Sequence, residues 1–96
     1  MEDRKSEFPR IRYWILNILS PVYPNPVDFV LLRKTLSNFG FAMSERDLCA
    51  FVSYLQERKY VTVTEHEAYR LRMVAITADG LDCLDGRKID CGVARA

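Results

Sequence analysis

Residues 44–76 read SERDLCAFVSYLQERKYVTVTEHEAYRLRMVAI, and within them the hydrophobic period falls from the helical 3.6 residues to the strand value of 2. Leu48, Phe51, Val52 and Leu55 stand at i, i+3, i+4 and i+7, the spacing of one buried helical face. Ser44 precedes them as an N-cap, with Asp47 in the capping-box position, so a helix is predicted over about residues 45–58. Two alternating runs rich in β-branched residues follow at 60–64 and 69–76, separated by Glu65-His66-Glu67-Ala68. An antiparallel hairpin is expected. Val61 and Val63 would face inward with Leu71, Met73 and Ala75. Arg70 and Arg72 would then point outward together, opposite the neutral Thr62 and Thr64, with no ion-pair partner at hand.

Working outward from that stretch, Phe8, Ile11, Trp14, Ile15, Ile18 and Leu19 form an earlier amphipathic stripe. Ser6 is its expected cap, Pro9 fits its first turn, and Pro21 stops it near Ser20. PVYPNP at residues 21–26 makes a stiff connector, whose Asn25 and Pro26 are expected to start a second helix. Its sequence, VDFVLLRKTLSNF at 27–39, is apolar nearly all round at first and ends before Gly40, a left-handed cap. Beyond the hairpin, Thr77 caps a short helix with Leu81 and Leu84 inward and Gly86 closing it. The predicted core is Ile11, Trp14, Ile15, Ile18, Leu32, Leu36, Leu48, Val52, Leu55, Val61, Met73 and Leu84. The organisation expected is a flexible N-terminus at 1–7, one domain at 8–86 and a flexible tail at 87–96.

Charge and length exclude several classes. The 96 residues hold 14 basic and 13 acidic groups, a formal net charge of +1, which gives no general attraction to nucleic acid or anionic membrane. Seven of the 14 basic and six of the 13 acidic groups lie in the first 48 residues, so neither half is a charged tail. The apolar runs are far short of the ~20 residues that span a bilayer, and MEDRKSEF is unlike a signal peptide. A cytoplasmic chain with no membrane partner is expected.

Cys49, Cys83 and Cys91, an odd number without a C-x-x-C pair, are expected to be reduced thiols. Cys49 lies on the flank of the third helix with no basic neighbour implied by spacing, which suits a packing role. A single histidine, His66 at the hairpin tip, leaves no zinc site. Asp79, Asp82 and Asp85 share a helical face but lack the loop spacing of a calcium site, and suit a solvated face better. No triad motif surrounds any nucleophile. The expectation is a non-enzyme without cofactor or metal.

The order helix, helix, turn, helix, hairpin, short helix resembles a winged helix-turn-helix domain, an α+β and mostly helical fold. Gly40 to Ser44 at the turn, YLQERKYVTVTE into the wing and ITADGLDCLDG after it are similar to small bacterial regulators of the PadR and arsenical-resistance type. The resemblance covers roughly residues 10 to 86 and implies a transcriptional regulator that reads duplex DNA with its third helix and uses the hairpin as a wing. The small size, without an effector domain, adds a prophage origin to that expectation. Lys59 stands where these families have glycine, and the wing tip is acidic where Lys or Arg is the rule.

Arg46, Ser53, Tyr54 and Gln56 lie on the face of the third helix that its apolar stripe leaves exposed, and suit base readout. Arg70 and Arg72 suit phosphate contacts. The alternative reading of all six is an ordinary solvated surface, on a winged helix used as a protein-interaction module. One continuous positive face from Arg46, Arg70, Arg72 and a basic group among Arg10, Arg12, Arg33 or Lys34 would favour DNA; interruption by acids would favour a protein partner. A homodimer is also expected, with Tyr13 and Leu16 of the first helix as contacts.

Overall fold

The computed structural model describes residues 7–87 and 92–93, so Ser6 and Cys91 lie outside the described residues. Among the described residues the fold is α+β and mostly helical, with four α-helices and a three-stranded antiparallel sheet. Helix α1 spans Phe8–Leu19 with Ser20 as its C-cap, ending where Pro21 is expected to stop it, and a 3-10 turn follows at Ser20–Val22. The proline connector then delivers a short strand, β1 (Val27–Asp28). This corrects the expected helix start. Val27 and Asp28 pair with Val74 and Met73, so their backbone is extended and Asn25 and Pro26 lie too early to cap. Asp28 is the cap instead: its carboxylate accepts from the Val30 N–H at 3.0 Å, and α2 runs Phe29–Asn38.

Helix α3 (Glu45–Glu57) begins as expected, with the Ser44 hydroxyl accepting from the Asp47 N–H at 3.1 Å. Strands β2 (Val61–His66) and β3 (Leu71–Ile76) form the hairpin, and Thr77 caps α4 (Ala78–Leu84) by accepting from the Gly80 N–H. The sheet order is β1-β3-β2.

Three helices end in one way. After α2 the Phe41 N–H reaches the Leu36 carbonyl and the Gly40 N–H reaches Ser37. After α3, Tyr60 reaches Leu55 and Lys59 reaches Gln56; after α4, Arg87 reaches Asp82 and Gly86 reaches Cys83. Each is the paired bond pattern that needs a left-handed residue just past the helix. Gly40 and Gly86 supply it at φ 92° and 83°, and Lys59 adopts it at φ 67° without being glycine. The end of α3 thus forms the same bonds without glycine.

The hairpin faces are the reverse of those expected for β3. Val61 pairs with Ile76 and Val63 with Val74, which places Val74 and Ile76 in the core and leaves Leu71 exposed, with Met73 and Ala75 half-buried. A shift of one residue exchanges the two faces of a strand. The rest of the core joins Ile11, Ile15, Leu16 and Leu19 of α1 to Phe29, Leu32 and Leu36 of α2 and to Leu48, Phe51, Val52 and Leu55 of α3. Trp14, Ile18 and Leu84 pack against that cluster only partly buried. Leu16 is 0% exposed, so it belongs to the core and cannot supply the dimer contact expected of it. Val93, assigned by sequence to a free tail, is buried, and the neighbouring Gly92 carbonyl accepts from Arg12 at 3.1 Å.

Candidate nucleic-acid interface

Because Leu48, Phe51, Val52 and Leu55 turn inward, the opposite stripe of α3 is Arg46, Ala50, Ser53 and Glu57, all exposed. Among the described residues no hydrogen bond or ion pair ties down the side chains of Arg46 or Ser53. These two are brought together. Gln56, also exposed, leans to the flank that meets Lys59, Val61 and Thr62 at the base of the hairpin. Tyr54 leans to the opposite flank, where it is half-buried between two cations. The Arg12 guanidinium lies 3.6 Å from its ring centre and that of Arg58 4.7 Å. Its ring is engaged within the fold rather than presented to a partner.

The two hairpin arginines separate. Arg70 lies outside β3, in the turn, at a left-handed φ of 52° and exposed. Arg72 shares the inward face of Val74 and Ile76, so the expectation that both arginines point outward together is corrected by the same parity. Its guanidinium donates to the Cys49 Sγ at 2.8 Å, lies 4.9 Å from the Phe29 ring centre and meets the Glu65 carboxylate at 3.4 Å. Glu65 is its cross-strand partner, so an ion-pair partner exists after all, and Cys49 does have a basic neighbour. The pair is partly solvated and stabilises by no more than about 1 kcal/mol. Sequence spacing missed Cys49–Arg72 because the two residues meet only through the packing of the hairpin on α3.

Charge around this surface is mixed. Between the starts of α2 and α3 and the hairpin runs a groove of about 360 Å³, lined by Asp28, Glu45, Glu65 and Glu67 as well as by His66, Arg70 and Arg72. The basic groups therefore do not merge into one positive face. A second depression lies where α2 meets the loop before α3, with Val30, Arg33, Lys34 and Met43 on its walls. There the Arg33 Nε donates to the Met43 carbonyl at 2.8 Å, fixing α2 against the start of α3, while Lys34 stays exposed. Asp82 of the α4 aspartates lies 3.9 Å from Arg87. Among the described residues no three His, Cys, Asp or Glu side chains gather to hold a metal, and no helix is long and apolar enough to cross a membrane.

No protein-family model matches the chain, and no curated protein matches it. A solved structure does: a candidate transcriptional regulator from Thermoplasma acidophilum superposes with a TM-score of 0.69 at 20% identity. The match covers 92% of this chain and 83% of that one. At this identity the likeness is one of fold.

Proposed function

We propose that this chain is a winged helix-turn-helix regulator that binds duplex DNA, with α3 in the major groove and the β2–β3 hairpin as the wing. The observation that supports it best is the outward stripe of α3. Arg46 and Ser53 stand there unencumbered beside the small Ala50, so that a groove wall can approach the helix closely. The fold's likeness to a candidate transcriptional regulator supports the same reading. In it Arg46, Ser53 and Gln56 face base edges, while Lys34 and Arg70 contact phosphates. Tyr54 and Arg72 hold α3 and the wing in place. Fluorescence anisotropy with random-sequence duplex over a salt series tests this. Binding should weaken with salt at about −0.9 in log–log slope for each phosphate contacted. No binding at the lowest salt overturns it.

The interrupted positive face is the one expected of a protein-interaction module, and it supports a second reading. The groove beside the hairpin holds four carboxylates against Arg70, Arg72 and His66, a surface that repels phosphate and suits a basic protein segment. A protein that stays folded but binds no duplex is assigned to this reading.

A further inference from the structure

On the Tyr54 side of α3, away from the hairpin, lies a cleft of about 270 Å³ between α1 and α3. Its walls are mostly apolar: Phe8 and Ile11 from α1, Met43 from the loop, and Ala50, Phe51 and Tyr54 from α3. Phe8 and Phe51 meet edge to face, with ring centres 5.0 Å apart, which fixes the floor. One cation enters this apolar setting. Arg12 lines the cleft half-buried, its guanidinium held over Tyr54 and within 6 Å of both the Phe8 and Phe51 ring centres.

Arg12 is short of acceptors. A guanidinium carries five N–H donors. Among the described residues one carbonyl, that of Gly92, takes a single one of them, and the buried Nε has no partner. Asp47 lies on the rim of the same cleft without an ion pair to Arg12 among the described residues. A half-buried cation stacked on aromatic rings, with no carboxylate paired to it among the described residues, favours one supplied from outside.

We infer that the cleft between α1 and α3 binds a small hydrophobic monocarboxylate, its carboxylate on Arg12 and its apolar body among Phe8, Met43, Phe51 and Tyr54. The aromatic and thioether walls accept a planar or a short aliphatic body. Asp47 on the rim disfavours a second negative charge on the ligand. The cleft shares Ala50 with the outward stripe of α3, but Arg46, Ser53, Gln56, Lys34 and Arg70 all lie outside its lining, so ligand binding is read separately from DNA binding.

The test is a two-dimensional NMR titration of the whole chain with phenylacetate, with phenylacetamide as the neutral isostere. A saturable shift of Ala50, Phe51 and Tyr54 resonances is expected for phenylacetate, with a Kd on the order of 1 mM for a ligand of this size. The amide should bind about tenfold more weakly, since it lacks the charge-assisted bond. Arg12→Gln should remove the difference between the two. Should that variant unfold, Ala50→Phe provides the check, because it fills the cleft from an exposed position and should abolish binding of both. Absence of saturable shifts, equal affinity for acid and amide, or unchanged binding to Ala50→Phe overturns the proposal.

Discussion

Lys59 shows what one side chain costs in a backbone position shaped for glycine. It sits at φ 67° between α3 and β2, exposed, with its carbonyl accepting from the Thr77 hydroxyl at 2.6 Å. The left-handed conformation costs a residue with a Cβ about 1 kcal/mol, offset in part by the larger entropy glycine loses on folding. Lys59→Gly should therefore raise stability by about 0.5 kcal/mol, and the β-branched Lys59→Val should lower it by more than 1 kcal/mol. Urea unfolding of the three proteins ranks them directly, and a Val variant as stable as wild type contradicts the assignment. Leu55 makes the complementary case. It is fully buried, and its carbonyl receives the Tyr60 N–H that ends α3. Leu55→Ala should cost roughly 2–5 kcal/mol in the same measurement, because it opens a cavity inside the core cluster. A loss under about 1 kcal/mol would mean that this face of α3 does not pack as described.

At the scale of elements, α4 is positioned by a close approach rather than by its leucines. Gly80 is buried against the Tyr60 carbonyl, and a Cβ there would overlap that oxygen and come within 2.7 Å of the Ile76 Cγ1. Gly80→Ala should push α4 off the hairpin base and cost upwards of about 2 kcal/mol, as overpacking against rigid backbone does. A thermal midpoint unchanged from wild type would show that α4 is free to shift. The same elements show what sequence reveals. Ser44, Thr77, Gly40 and Gly86 each sit where caps belong, because a cap is a local contract between a side chain and the next turn of backbone. The stripe of Arg46 and Ser53 was legible for a similar reason, as the complement of a 3.6-residue apolar period. The face of β3 was not. In Leu71-Arg72-Met73-Val74-Ala75-Ile76 both alternating sets are largely apolar, so period alone does not choose between them. Pairing with β2 and β1 chooses, and it carries Arg72 inward to Cys49 and Phe29. A two-residue strand such as β1 has no period to read. The Arg12 side of Tyr54 rests likewise on a contact between α1 and α3 that no local pattern encodes, whereas Arg58 stands four residues on, at the end of the same helix.

For the molecule as a whole, a net charge of +1 means that any hold on DNA comes from where charges sit, not from how many there are. In the proposed reading, Lys34 on α2, Arg46 on α3 and Arg70 in the hairpin turn are the exposed basic groups on the three parts laid against a duplex. Arg72, held by Glu65, Cys49 and Phe29, is not such a group. Replacing Lys34 or Arg70 by Ala should thus weaken binding to every duplex alike and flatten the salt slope by about one unit each. Arg72→Ala should leave the slope unchanged and lower stability instead, since its contacts are internal. Glu67 is the informative acid. Glu65 is already paired with Arg72, whereas Glu67 lines the groove beside Arg70, where a phosphate held by Arg70 would meet its charge. Glu67→Gln should tighten binding about threefold at low salt, the size of one solvent-screened repulsion, and the gain should fade as salt rises. Anisotropy titrations of wild type and Glu67→Gln at two salt concentrations decide it. A gain that persists at high salt would place Glu67 in a direct contact rather than in the field of the phosphates. No gain at any salt would mean that the hairpin tip stays clear of the duplex, leaving α2 and α3 to bind without a wing.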